Sequence, residues 1–121
     1  MVLDTNILIA YLDGDERVVA TVDKWFSDNV ALFISAVTYT EVLALPEAGA
    51  SELVAMREFL DSFVLINVDK TIAEETAAIK RKYKLKFPDA AIVASALYTR
   101  SVLVTRDQKL HKVKEVTAIE L

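Results

Sequence analysis

Cysteine is absent from this chain of 121 residues, histidine occurs once, at His111, and glycine and proline occur twice each. Each shortage closes a route. Without cysteine there are no disulfides, thiol nucleophiles or zinc–thiolate clusters, and one histidine cannot build most acid–base schemes. Gly14 and Gly49 are too few and too far apart for a G-x-G-x-x-G turn or a phosphate-cradling P-loop. No apolar run approaches the ~20 residues that cross a bilayer, and the opening lacks the basic flank and cleavage site of a signal peptide. A soluble, cytoplasmic protein is the expectation. Any chemistry falls to carboxylates and hydroxyls.

Hydrophobic residues, by contrast, are plentiful. They make up 54% of the chain, above the usual range of about 45–50%. The surplus serves one well-filled core, or a core plus an apolar face that a partner covers. The length suits a single domain, 1–121, with one core. A net charge of −4 argues against a protein coated in positive charge for nucleic acid, yet leaves room for a local basic strip.

Residues 1–4 (MVLD) read as a short buried strand, after which Thr5 or Asn6 can cap a helix over 7–12. Asp13-Gly14-Asp15 is a turn. Over 16–27, Val18, Val22 and Trp25, with Val19 and Phe26, recur at helical spacing. A strand at 31–35 (ALFIS) leads into a helix running through Glu41 to Leu45, which Pro46 ends. A helix at 51–62 carries Leu53, Met56 and Leu60 on one face, and 63–68 is a third strand. Thr71 and Glu74 form a capping-box pair opening a helix that turns Ile72, Thr76, Ile79 and Tyr83 inward. Pro88 suits the first position of a helix over 89–99, apolar nearly all round and therefore central. Strands at 102–104 and 116–119 complete the set. Strands alternating with helices imply an α/β fold with a mostly parallel sheet of four to five strands, covered by helices on both faces.

In such sheets the usable site lies beyond the carboxyl ends of the strands. Asp4 ends the first strand, and Thr105 and Asp107 follow the fourth. Glu41 lies in the helix after the second strand, and Asp89 in the first turn of the central helix. Singly, each acid has a bland role: a helix cap for Asp4, half of a capping box with Thr38 for Glu41, a dipole partner for Asp89, a turn for Asp107. Jointly they would repel, and a divalent cation relieves that repulsion. Hard oxygen ligands select Mg²⁺ or Mn²⁺. Metal-activated hydrolysis is the most economical chemistry for such a set.

DTN after the first strand, a glutamate after the second, PDAAIVASA and VLVTRD, in that order, resemble the PIN domain family of metal-dependent ribonucleases. The resemblance spans the chain, and its length is similar to that of VapC-type toxins of toxin–antitoxin pairs. It implies an α/β/α sandwich in which Asp4, Glu41, Asp89 and Asp107 hold Mg²⁺ or Mn²⁺ and cleave RNA. Thr5, Asn6 and Thr105 then orient carboxylates or water. It also implies a homodimer and a small antitoxin partner. Arg106 stands where asparagine is frequent in the family, and Leu110 where an aromatic is frequent.

KRKYKLKFPD runs basic residues straight into Asp89, and Arg100, Arg106, Lys109, His111, Lys112 and Lys114 surround Asp107. Cations also favour a helix's last turn without any ligand. Their position beside the acids assigns RNA contact to Lys82, Lys84, Lys86 and Arg106, with His111 a surface residue. Haloacid dehalogenase-type phosphatases need a second aspartate where Asn6 stands, and receiver domains an acidic pair that is missing. The alternative from another class is a PIN-like scaffold that binds RNA or protein without cutting.

Overall fold

The computed structural model describes residues 1–46 and 48–121. Among them, five short strands form one sheet: β1 (Val2–Leu3), β2 (Phe33–Ser35), β3 (Val64–Ile66), β4 (Leu103–Val104) and β5 (Ala118–Ile119). The order is β3-β2-β1-β4-β5, and every pairing is parallel. Parallel neighbours require crossovers, and helices supply them. These are α1 (Thr5–Leu12), α2 (Glu16–Ser27), α3 (Ala36–Leu43), α4 (Ala50–Leu60), α5 (Lys70–Tyr83) and α6 (Phe87–Thr99). A 3-10 turn, Leu110–Lys112, follows β4.

The strand order fixes which helices cover which face. From β1 the chain steps to β2 and β3 in one direction, then returns across the sheet to β4 on the far side of β1. Right-handed crossovers in opposite directions place their helices on opposite faces. The core divides accordingly. Leu3, Ile34 and Val104 pack with Ile7, Leu8, Val18, Val22, Val42, Met56 and Leu60 from α1 to α4. Val2 and Leu103, one residue away and so on the other face, pack with Ile79 of α5, Ala90, Ile92, Val93 and Ala96 of α6, and Leu110. The register aligns Val2 with both Phe33 and Leu103, so each face presents one continuous apolar row.

Helix α6 is the central pillar foreseen from its composition. Residues Ala90, Ala91, Ile92, Val93, Ala94, Ser95 and Ala96 are all buried. It packs on α5, α3, β1 and β2. Small side chains permit that, because several neighbours must approach one axis at once. Trp25, Phe26 and Leu53 pack against the first core cluster.

Several element ends differ from the sequence reading, for local reasons. Asp4 itself caps α1, accepting from the Thr5 amide, so neither Thr5 nor Asn6 is the cap. Asp69 caps α5 through the Ile72 amide, displacing the expected Thr71/Glu74 box. Ser35 caps α3 through the Val37 amide, leaving Thr38 fully buried inside the helix rather than at its start. Helix α6 begins at Phe87, with Pro88 inside the first turn, where a missing N–H costs nothing. No helix among the described residues is long and apolar enough to cross a membrane.

Candidate active site

The sheet order reverses direction at β1 and β4, and a crevice opens where strand order reverses. Asp4 leaves β1 there, and Thr105 leaves β4 beside it. The Thr105 hydroxyl donates to Asp4 Oδ2 at 2.6 Å. Asp4 Oδ1 accepts from the Thr5 amide at 2.7 Å, and Asn6 Nδ2 lies 3.2 Å from Oδ2. Thr105 Oγ1 in turn accepts from the Asp107 amide at 3.0 Å. One buried hydroxyl thus ties the first acid of the chain to the backbone of the last.

Thr5 makes the link to α3. Its Oγ1 stands 2.6 Å from Glu41 Oε1 and 3.1 Å from Thr38 Oγ1. With a single proton to give, Thr5 donates to the carboxylate and takes its other bond from Thr38. Thr38 and Glu41 are three residues apart on a helix, hence on one face. That spacing was read in sequence as a capping box; the same signal marks two side chains aimed at one neighbour.

The acids feel one another. Burial pushes the Asp4 carboxyl above the ordinary carboxylate value, hydrogen bonds from Thr105 and Thr5 pull it back, and the charges of Asp89 and Glu41 push it up again. Asp89 is also raised, first by burial, then by repulsion from Asp107 and Glu41, with Lys109 and Lys86 opposing. All four acids therefore share one electrostatic neighbourhood at the carboxyl edge. Among the described residues, the salt bridges pair Lys24 with Asp28, Lys82 with Glu115 and Arg106 with Asp15, and none involves the four acids. Asp4 is buried, the other three acids are half-buried, and Lys86 and Lys109 act on Asp89 without forming an ion pair with it; such a mutually repelling set of oxygen donors fits a hard divalent ion in its chemistry. As placed, no three of the described acidic or histidine side chains stand close enough together to hold one. A cation between them would offset their mutual repulsion.

The basic residues divide. The Arg106 guanidinium bonds Asp15 Oδ2 at 2.8 Å and the Leu121 carbonyl at 2.7 Å, while its backbone amide donates to Asn6 Oδ1. Its side chain is thus a latch between surface loops. Lys82 pairs with Glu115 at 3.2 Å. Lys84 and Lys86 share a cavity with Lys109 and Lys112. His111 is half-buried rather than a simple surface residue. Its Nε2 lies 2.9 Å from the Thr105 carbonyl, and since a carbonyl only accepts, that nitrogen carries the proton. Sequence reasoning missed this tether and the buried Thr38; only the folded contacts reveal either.

An all-parallel α/β domain with carboxylates near the strand-order reversal is of the class that places its binding crevice at the carboxyl edge of the sheet. The PIN domain family model matches residues 1–116. Among solved structures, a toxin–antitoxin complex from Klebsiella pneumoniae is 32% identical, with a TM-score of 0.83 over 99% of this chain and 98% of that one. FitAcB from Neisseria gonorrhoeae is 24% identical, with a TM-score of 0.77 over 98% of this chain and 95% of the other. VapBC2 from Rickettsia felis, bound to a DNA fragment from its promoter, is 13% identical with a TM-score of 0.84, covering 99% and 97% of the two chains; these last two likenesses concern the fold alone. No curated protein matches the sequence. The chain belongs to the PIN domain family, and its architecture is that of a VapC-type member.

Proposed function

We propose that this protein is the toxin of a toxin–antitoxin pair and acts as a Mg²⁺- or Mn²⁺-dependent endoribonuclease. The observation that carries this reading is the Asp4 carboxylate: buried, held by Thr5, Thr105 and Asn6, and repelled by Glu41 and Asp89 with no ion-pair partner among the described residues. Asp4, Glu41, Asp89 and Asp107 would hold the ion. When bound, such an ion polarises a phosphoryl oxygen and acidifies a water at neutral pH. The chain's own groups do the rest. Thr105 and Asn6 fix the orientation of Asp4, and Thr5 fixes Glu41, so that geometry is set before substrate arrives. Lysines beside Asp89 counter the charge of an RNA backbone.

The partner in this reading is a small antitoxin, supported by the Klebsiella pneumoniae toxin–antitoxin complex to which the chain is similar. A homodimer is the expected assembly; a monodisperse monomer in light scattering would refute it. The activity test is cleavage of single-stranded RNA with Mn²⁺ or Mg²⁺ and with EDTA. Cleavage that needs the ion and disappears in Asp4→Asn and Asp89→Asn supports the reading; equal cleavage by the variants indicates a contaminant.

A second reading rests on the spacing of the acids, which as placed do not close on an ion. It is a silent PIN scaffold that binds RNA or protein without cutting. RNA binding with no ion-dependent cleavage by wild type would select it.

A further inference from the structure

A cavity of about 260 Å³ lies between the end of α5, the start of α6 and the loop after β4, lined by Tyr83, Lys84, Leu85, Lys86, Lys109 and Lys112. Four of its six lining residues are lysines, and no carboxylate lines it. All four are exposed, and none has an ion-pair partner among the described residues. Their neighbour Lys82 shows the contrast: Glu115 takes Lys82 and the Tyr83 hydroxyl together, and Tyr83 also accepts from the Lys114 amide. That network fixes one wall of the cavity and spends its only acid on the outside. The basic run KRKYKLK is thereby split, and Lys84 and Lys86 join two lysines from a distant loop.

Four lysines lining one hollow concentrate positive charge there, and an anion offsets their mutual repulsion. Lysine binds phosphate as a point charge and imposes little geometry, so several can converge on one group. The volume is below the roughly 300–1,000 Å³ of pockets that enclose whole small molecules. It suits one phosphate with part of its sugar. The cavity also adjoins the acids, since Lys86 and Lys109 act on the Asp89 carboxylate.

We propose that this cavity seats a single RNA backbone phosphate adjacent to the one cut, and so sets the register of the strand across the acids. The assignment rests on the ribonuclease reading. It differs from a general basic groove by predicting one phosphate for four lysines.

The test is binding rather than cleavage: the full chain in EDTA, with a labelled single-stranded oligoribonucleotide, titrated over a range of salt. In Lys109→Ala/Lys112→Ala, affinity falls and the logarithmic salt slope becomes shallower by about 0.7, the value for one lost single-strand phosphate contact. Lys80→Ala/Arg81→Ala removes the same charge from α5 outside the cavity and leaves the slope unchanged. Equal losses in both double variants, or a slope change of about 1.4 in the first, would overturn the shared seat. Inorganic phosphate, followed by NMR of lysine ammonium signals, separates this proposal from the function beneath it. Joint perturbation of the four lysines that RNA competes away supports the seat. Phosphate binding that RNA does not compete for overturns it, and no phosphate binding overturns it while leaving ion-dependent cleavage to stand or fall separately.

Discussion

Two charged regions lie side by side at the carboxyl edge of the sheet, and they are held in opposite ways. Among the acids Asp4 is anchored: it is 4% exposed, and three side-chain or backbone donors fix its two oxygens. The lysines of the adjoining cavity are exposed and unpaired among the described residues. Buried like charges are tolerated only where hydrogen bonds and a counter-ion offset the loss of water. Exposed ones are tolerated because water screens them. Exact hydrogen-bonded geometry therefore matters in the first region, whereas the second needs only that its lysines line the same cavity. A defect among the acids should abolish a reaction, whereas one among the lysines should weaken binding.

The largest expected effect follows from the anchored side. Asp4→Asn or Asp89→Asn should slow ion-dependent RNA cleavage by on the order of 10²–10⁴-fold, the range for losing a positioned catalytic group. RNA binding in EDTA should be kept, and its loss in these variants would erase the distinction between the two regions.

Thr105→Val comes next. It leaves the Asp107 amide without its acceptor and Asp4 without its shortest hydrogen bond, in a fully buried place. Cleavage should fall about 10–100-fold, as for residues that orient metal ligands, and stability by about 1–3 kcal/mol in denaturant unfolding. Thr105→Ser should restore most of both; a serine variant as slow as valine would mean that the methyl group, not the hydroxyl, matters.

The pH dependence of the ion-free protein is a smaller effect with a definite sign. Asp4 and Asp89 are raised by folding, so above the ordinary carboxylate value the folded state holds protons that the unfolded state has released. Stability from this pair should fall as pH rises from the ordinary value to the raised ones. Asp15 and Glu115 are lowered and act in the other direction, below the ordinary value. Melting in EDTA should show the decline, Asp89→Asn should lessen it, and Mn²⁺ should cancel it. A flat profile in EDTA would mean that folding does not raise these two carboxyls, by burial or by repulsion.

Arg106→Ala should have the least effect. Its pair with Asp15 lies at the surface, where such bridges contribute about 0–1 kcal/mol. With the guanidinium already engaged, RNA affinity in EDTA should be unchanged. A drop matching that of the cavity lysines would return Arg106 to the RNA-binding surface.

The fold was legible because its signals are local. Apolar strands ending in polar residues, and a helix as uniformly apolar as α6, announce a parallel α/β layer without reference to any contact. Helix starts were harder. Asp4, Asp69 and Ser35 each precede other plausible caps, and the winner depends on which residue the preceding strand leaves extended. Asp4, Asp89 and Asp107 were legible by element, since strand ends and helix first turns share one edge in this architecture; Glu41 lies a turn further along α3 and is brought in by its contact with Thr5. Their partners were not: Thr38 meets Thr5 from another crossover, and His111 meets the Thr105 carbonyl from the loop beyond it.

By itself, then, the sequence determined the layer architecture, the two-faced core and the set of carboxylates, because periodicity and position along a strand or helix are properties of neighbouring residues. Tertiary structure decided which hydroxyl holds which acid. It also decided that Lys82 pairs with Glu115 and Arg106 with Asp15, while Lys84 and Lys86 share a cavity with Lys109 and Lys112. The physical reason is range: hydrogen bonds and ion pairs act over a few ångströms, and only the folded sheet brings distant segments that close.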